Sequence, residues 1–521
     1  MAEQNDLILI FDALDQVISD PLGRHSWRRL GKLVIKNVDI KILRVIRQRL
    51  TNEVDQDGLA GFYRAVFFKY VMGIRNDAVS AGKVLEDLRP IHVDRIMSFI
   101  NFEWGNIVAE AKSSIEFAQM MEAANMPRLM DLVSLVVQKN SEIRAPRLAK
   151  NVQRVAIYTP QIFNHKHPPT KLVFEHARLF QSQNIEVRIF SCQEQSIPEM
   201  REYLSNDGHL KIPPPETQFD HQIMLTSKID IVRAQERFSL PLRAQCILKF
   251  MENFEPDLCF FVGHQSLILK SLYQQYPLLG LNISSLAPAG DLDLWLSADE
   301  AVKENAPGVK TNAYYHPFRT IQKADEVNIS RSDLQLAADS VVLLTVGARL
   351  EKEVCGDWAT AMLDICTRFP NVFWLIVGGN GDTPSAVRTS NLPNIRCLPY
   401  QSNLRGIYAC SDIYVNPPRL GGGFSVAEAM AEGLPTLAFV DTDGGRKLGS
   451  AASLNQVDYF EELNRLIGNA DARVIKGKQL SELFHATINL ENSIPSLMRA
   501  MELTIEKFQR RQVAIDPSFN E

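Results

Sequence analysis

The densest chemistry in this chain lies between Asn416 and Glu428, in the run NPPRLGGGFSVAE. A short apolar segment, DIYVN, ends at Asn416 and reads as a strand. Gly421, Gly422 and Gly423 then lead into a helix starting near Ser425. The N-terminus of a helix presents free N–H groups and a positive dipole end, so it holds phosphate. Glycines remove Cβ atoms and let a diphosphate come close to the backbone. The N–H groups around Gly422, Gly423, Phe424 and Ser425 would form such a cradle, and Glu428, one turn in, could accept hydrogen bonds from both hydroxyls of a ribose. The plainer reading is a Gly-rich turn in which Glu428 only complements the helix dipole. A second group sits in VGARLEKE, where Arg349 and Lys352 follow another strand. Two cations there would neutralise a diphosphate as it leaves, often the largest catalytic contribution. A solvated turn carrying one Lys and one Arg is the ordinary alternative.

Candidate proton acceptors lie in the middle of the chain. His264 directly follows the strand-like DLCFFVG, and His165 and His167 lie in the loop TPQIFNHKHPPT, which ends at Thr170. Histidine suits proton transfer near neutral pH. For each of them a loop or capping role is the structural alternative. His316, in YYHPF, is a further candidate. Asp291 and Asp293 in DLDLW have the Asp-x-Asp form of a divalent-metal motif, but the segment reads as a loop.

The elements that must position these residues fall into three parts. Up to about residue 150, segments such as IKILRVIRQRL and VDRIMSFINFEWGNIVAEA place apolar residues three and four apart, as amphipathic helices do. No fixed-period repeat is evident, so a solenoid is not indicated. At VQRVAIYT the texture changes to strand, helix, strand, a βαβ pattern that implies parallel strands. RAQCILKFMENFEP, DLCFFVG, HQSLILKSLYQQ and LLGLNIS continue it. The polar stretch from about His316 to Ser340 reads as a connection between lobes. A second alternating series then runs from SVVLLTVG to PTLAFV, and the chain closes on the amphipathic helix SIPSLMRAMELTIEKFQRRQ. The expected architecture is α/β: an all-helical part over 1–150 and two Rossmann-like, doubly wound lobes over 151–320 and 321–521, the second including the last helix. Ligands of open α/β sheets sit at the carboxyl ends of strands. In the second lobe those ends are Gly347 to Arg349, Gly378 to Asp382, Pro417 to Arg419 and Asp441 to Gly445.

Bulk properties narrow the function classes. The 521 residues are 45% hydrophobic and 22% charged, as in an ordinary folded protein with sizeable cores. A net charge of -5 gives no electrostatic reason to expect nucleic acid. Seven scattered cysteines without CxxC spacing argue against a disulfide framework or a zinc site and suit a reducing compartment. No signal sequence or bilayer-length apolar run is visible, so a cytoplasmic location is expected, with room for peripheral membrane contact.

Taken in order, these motifs resemble the nucleotide-sugar lobe of the GT-B glycosyltransferases of group 1. The matching pieces are Ala348-Arg349-Leu350 with Lys352, Val377-Gly378-Gly379, Asn394-Ile395, Tyr408 to Ile413, and Glu428 to Pro435. The likeness is good over 341–440, looser over 153–315, and absent from the first 150 residues. It implies a transferase of hexosyl or N-acetylhexosaminyl groups, with UDP the favoured carrier and no bound metal. Arg349 and Lys352 would then contact the diphosphate, and the backbone from Gly422 to Ser425 would cradle it. Glu428 would hold the ribose, residues up to Tyr400 would meet the base, and Gly347 would let the sheet edge approach the sugar. In an inverting enzyme His264, or His167 in the loop over the cleft, would take the acceptor's proton; in a retaining one His264 would touch the sugar. The pattern departs from many retaining members at Leu420, where they carry a second Glu eight positions before the one matching Glu428.

A helical part ahead of two such lobes is similar in architecture to bacterial cytoplasmic protein glycosyltransferases, which implies a protein acceptor. A surface-glycan or lipid-linked acceptor is the rival, and the helices would equally serve self-association. A non-hydrolysing nucleotide-sugar epimerase and a catalytically silent scaffold are the other readings. No Gly-x-Gly-x-x-Gly turn follows the first strand, which disfavours a dinucleotide enzyme.

Overall fold

The computed structural model describes residues 2–35, 39–55, 58–72, 93–111, 114–139, 151–163, 167–197, 229–281, 290–298, 313–321, 329–379, 383–390, 392–401 and 403–515. His165, Asn380, Gly381 and Asp382 lie outside these residues.

Among the described residues, apolar residues three and four apart become the helices α1 (Ala2–Ser19), α2 (Arg24–Val34), α3 (Ile40–Glu53), α4 (Gly58–Tyr70), α5 (Val93–Glu110), α6 (Ser114–Ala123) and α7 (Met126–Lys139). Each turns one face inward, as Trp27 and Leu30 on α2 and Leu129 and Val133 on α7 illustrate. Asp39 caps α3 by accepting the Lys41 N–H at 2.8 Å.

The first sheet has seven parallel strands: β1 (Arg154–Tyr158), β2 (Glu186–Ser191), β3 (Asp230–Arg233), β4 (Leu258–Val262), β5 (Leu278–Leu281), β6 (Leu294–Ser297) and β7 (Ala313–Tyr315). Their order is β3-β2-β1-β4-β5-β6-β7. The connections include α8 (Pro168–Ser182), α9 (Leu240–Phe254) and α10 (Leu269–Gln275). Alternation along a strand divides the sheet between two cores. Val155 and Ile157 of β1 face one core with α8. Ala156 and Tyr158 face the other, which is continuous with the interior of the helical part. Asp94 on α5 accepts the Leu240 N–H at 2.8 Å, and Asn101 donates to the Glu194 carbonyl at 2.9 Å. The helical part therefore packs on α9, α10 and the loop after β2 at this face of the sheet.

The second sheet, β8 (Val341–Val346), β9 (Val372–Val377), β10 (Ile395–Leu398), β11 (Ile413–Val415) and β12 (Thr436–Leu437), is also wholly parallel. Its order is β10-β9-β8-β11-β12. The helices here are α11 (Leu350–Glu353), α12 (Gly356–Arg368), α13 (Ser385–Arg388), α14 (Leu404–Ala409), α15 (Gly423–Ala431), α16 (Asp443–Leu448), α17 (Gln456–Gly468), α18 (Ala470–Leu483) and α19 (Ile494–Ile515). All six residues of β8 are buried, as expected of a central strand covered on both faces.

Two doubly wound sheets behind a helical part are the architecture expected from the sequence. Three strands depart from the reading above. DLDLW does not end as a loop: Leu294 and Trp295 open the buried strand β6. Asp293 tethers its start, accepting the Leu278 N–H at 2.9 Å and Arg511 at 2.9 and 3.0 Å. β3 and β7 are short and only partly buried, so neither carries an apolar run. The last helix crosses back to the first sheet. Leu497, Ala500 and Met501 of α19 share a core with β1 and β5, and Arg511 lies 3.7 Å over the Tyr273 ring.

Candidate active site

In each sheet the strand order reverses beside the first strand, between β1 and β4 and between β8 and β11. A doubly wound sheet leaves a crevice there, outside the strand ends. The loops that follow these four strands, Thr159 to Gln161, Gly263 to Gln265, Gly347 to Arg349 and Arg419 to Ser425, meet in one cleft of about 550 Å³. Met97, Asn101 and Trp104 of α5 complete its wall. An adjoining cavity of about 360 Å³ shares Trp104, Pro169, His264, Arg349, Gly422 and Phe424 with it.

The cleft brings together most of the residues singled out from the sequence: His167, His264, Gly347, Arg349, Tyr400, Gly422, Phe424, Ser425 and Glu428. Gly423 lines the adjoining cavity. Lys352 is different: it sits exposed on α11 and lines neither space. His316 lies fully buried behind the site, where its Nδ1 pairs with the Ser496 hydroxyl at 2.9 Å.

The glycine turn has the geometry a phosphate cradle needs. Gly422 sits in the left-handed region, at φ 89°, and precedes the first residue of α15. A Cβ there would lie 2.5 Å from Arg419 Nε. The first N–H groups of α15 therefore open toward the cavity without a capping side chain. Phe424 braces this end of α15 by packing against the core of the first sheet. Glu428 accepts the Tyr408 hydroxyl at 3.2 Å and keeps an edge in the cleft.

Behind the turn lies an ion cluster that sequence reasoning did not assign. Arg419, buried, donates to Glu353 at 2.7 Å, to Asn416 Oδ1 at 3.0 Å through Nε, and to the Val346 carbonyl at 2.8 Å. The other oxygen of Glu353 accepts Arg349 at 2.9 and 3.0 Å. Burial alone would raise the Glu353 carboxyl, but the Arg419 and Arg349 guanidiniums outweigh it and hold it below its usual range. Gly347 has a use here besides the one expected of it. A Cβ there would meet Arg419 Nη1 at 2.2 Å, so the glycine makes room for the guanidinium. Arg419 was legible as a strand-end residue, but its burial was not.

The opposite wall carries the titratable groups of the first lobe. His264 packs edge-on to Phe117 of α6, with ring centroids 5.8 Å apart, and burial lowers its pKa to about 4. His167 pairs with the Thr170 hydroxyl at 2.9 Å and is likewise lowered by burial to about 4. Both rings are neutral at neutral pH. Glu194, another strand-end residue the sequence reading passed over, is buried and raised to about 7 by desolvation. It accepts hydrogen bonds from Tyr158 and Ser266 at 2.5 Å each and from the Leu267 N–H at 3.1 Å. The carboxylate thus ties the loop after β2 to the loop that carries His264.

No group of three or more His, Cys, Asp or Glu able to hold a metal occurs among the described residues. No helix of the described residues is long and apolar enough to cross a membrane.

Comparison with known proteins agrees with this geometry. Residues 340–463 match the model of the family described as glycosyl transferases group 1. No curated protein sequence matches the chain. Among solved structures, a mutant of the O-GlcNAc transferase of Thermobaculum terrenum aligns over 97% of this chain and 99% of its own, with a TM-score of 0.56 and 11% identity. WaaG, a glycosyltransferase involved in lipopolysaccharide biosynthesis, aligns over 67% of this chain and 99% of its own, at 13% identity and a TM-score of 0.41. A putative UDP-N-acetylglucosamine 2-epimerase from Listeria monocytogenes aligns over 68% and 98%, at 15% identity and a TM-score of 0.43. Two sheets meeting at a shared cleft, a glycine turn opening α15 and the family match lead to one conclusion: the chain has the two-lobed GT-B fold, and residues 340–463 of its second lobe match the group 1 glycosyl transferases.

Proposed function

We propose that the protein transfers a hexosyl or N-acetylhexosaminyl group from a UDP-sugar to a protein side chain. The donor lies with its diphosphate at the N-terminus of α15, its ribose on Glu428 and its base near Tyr400. Arg349 faces the diphosphate and offsets the charge that develops as the bond from the anomeric carbon to the diphosphate oxygen breaks. The acceptor enters from the other wall, where His264 and His167 are neutral and able to take its proton.

One observation carries the choice of a protein acceptor. The helical part reaches the site, placing Met97, Asn101 and Trp104 in the wall of the cleft and Val108 and Phe117 in the wall of the adjoining cavity. This third wall, apolar at Met97, Trp104, Val108 and Phe117, is suited to a polypeptide acceptor. The O-GlcNAc transferase named above shares the helical part as well as the two lobes, which supports the same reading.

The test is transfer from radiolabelled UDP-glucose, UDP-galactose and UDP-N-acetylglucosamine into a bacterial extract, followed by separate recovery of protein, lipid and polysaccharide. Protease-sensitive label in the protein fraction is the expected result. Label confined to lipid or polysaccharide would overturn the protein acceptor. Absence of both transfer and sugar-nucleotide binding would favour a silent scaffold.

A further inference from the structure

Lys352 was the lysine expected beside the diphosphate, yet it lies exposed outside the cavity, while another lysine stands at the glycine turn. Lys447 lines the cavity with Arg319, Arg349, Arg446 and Asp443. It occupies the last turn of α16, where the helix dipole favours a cation. A Cβ built on Gly423 would lie 3.0 Å from Lys447 Cε, so the lysine stem runs directly against the first residue of α15. On the other side of the turn, a Cβ on Gly421 would lie 3.3 Å from Arg349 Nη2. The two cations thus flank the N-terminus of one helix.

Three positive features converge here: the N-terminus of α15, Lys447, and Arg349, which also pairs with Glu353. Arg319 is buried and donates to main-chain carbonyls only, those of His316, Phe318 and Leu296. Among the described residues Lys447 makes no ion pair with a carboxylate. Among the described residues Asp443, on its own helix, is the one acid lining the cavity, and His264 across it is neutral. A cation beside a helix N-terminus is repelled by the dipole unless an anion lies between them. Burial, and then Arg319, lowers the Lys447 pKa to about 8, while Asp443 raises it. Such an arrangement is stable in its charged form when a doubly charged ligand fills the gap.

We propose that Lys447, backed by Arg319, is the cation that pairs with Arg349 across the donor diphosphate and stabilises it as a leaving group. This rests on the nucleotide-sugar reading of the cleft. The test is calorimetric binding of UDP, GDP, ADP and dTDP to wild type, then of the tightest of these to Lys447→Ala and Lys447→Arg. Loss of a charge-assisted hydrogen bond predicts an affinity about tenfold to hundredfold weaker for Lys447→Ala, with binding of the matching nucleoside unchanged. Wild-type affinity should fall about tenfold from pH 7.5 to 9.5, above the terminal phosphate's own pKa of about 6, whereas Lys447→Arg should bind equally at both. Affinity within about twofold of wild type for Lys447→Ala, or the same pH dependence in Lys447→Arg, overturns the proposal. Should Lys447→Ala not fold, the arginine variant's pH profile decides alone. If none of the four nucleotides binds wild type, the donor-site reading itself fails.

Discussion

Replacing Glu353 by Gln tests whether the ion cluster behind the glycine turn holds the second lobe together. In the native protein the Glu353 side chain is 7% exposed and serves two guanidiniums, Arg419 at 2.7 Å and Arg349 at 2.9 Å. The amide keeps one acceptor but turns an N–H donor toward a second donor. Arg419, 4% exposed, would be left with neutral partners only, Asn416 and the Val346 carbonyl. Breaking a buried pair by removing one partner costs about 3–5 kcal/mol. The lower end, about 3 kcal/mol, applies because those neutral acceptors remain. For a unit of about 150–250 residues this corresponds to a midpoint roughly 6–12 °C lower. Thermal unfolding followed by circular dichroism reads it directly. The pH dependence supplies an independent check. Because the folded pKa of Glu353 lies below its ordinary value, its contribution is complete above the unfolded carboxylate pKa of about 4.3 and is lost as pH falls through the folded value. The gap between wild type and Glu353→Gln should therefore be constant from pH 5 to 8 and close below about pH 4. A midpoint within about 1 °C of wild type, or a gap that widens in acid, would refute the reasoning.

Glu428→Ala should weaken binding of the nucleotide diphosphate about tenfold to hundredfold by removing the charged acceptor for the ribose, measured by calorimetry; unchanged affinity would remove that role. Gly378→Ala should be severely destabilised, by about 2–5 kcal/mol, because φ is 134° and a Cβ would sit 1.9 Å from the Gly347 carbonyl oxygen. Gly433→Ala, at φ 73° with no neighbour within 4 Å, should cost only about 1 kcal/mol, and equal losses in chemical denaturation would contradict the packing argument. His176 is lowered by burial to about 4 and the buried His316 well below its ordinary value, so both bind protons on unfolding. Their stability is full above about pH 6.5 and declines as pH falls, each adding a slope of about 1.4 kcal/mol per pH unit. Glu194, raised to about 7, works in the opposite sense and offsets part of it. Denaturant midpoints should thus fall between pH 6.5 and 4.5; a flat profile in wild type and in Glu194→Gln would contradict these assignments.

The fold was legible wherever burial on both faces leaves a run of apolar residues, as in VVLLTV and LCFFV, because period and length there are set by the pleat. It was illegible where a strand is short or sits at an edge: Asp230 to Arg233 carries too short an apolar run to be read as a strand, and is one only through its pairing with Arg188 and its neighbours. The glycine turn was legible as a turn because three consecutive glycines after a strand and before a helix favour a chain reversal with a positive φ, as at Gly422. The exposure of Lys352 was not legible, because spacing along the chain says nothing about which side of a one-turn helix faces the cleft. The burial of Arg419, the carboxylate of Glu194 and the placement of Lys447 were hidden for a different reason. Their settings come from burial and from neighbours such as Glu353, Ser266 and Arg319, distant in sequence and adjacent only in the fold. The packing of α5 and α7 on α9 and α10 was equally beyond reach, since an amphipathic face does not name its partner.

The most direct test of the central claim is thermal unfolding of wild type and Glu428→Ala against UDP, GDP, ADP, dTDP and their sugar esters. A ligand of the folded state stabilises it by mass action, about 2.7 kcal/mol at a hundred times its dissociation constant. The account predicts that one nucleotide series raises the wild-type midpoint and raises that of Glu428→Ala much less at the same concentration. No shift of wild type with any of them at millimolar concentration would contradict a nucleotide-sugar site in this cleft.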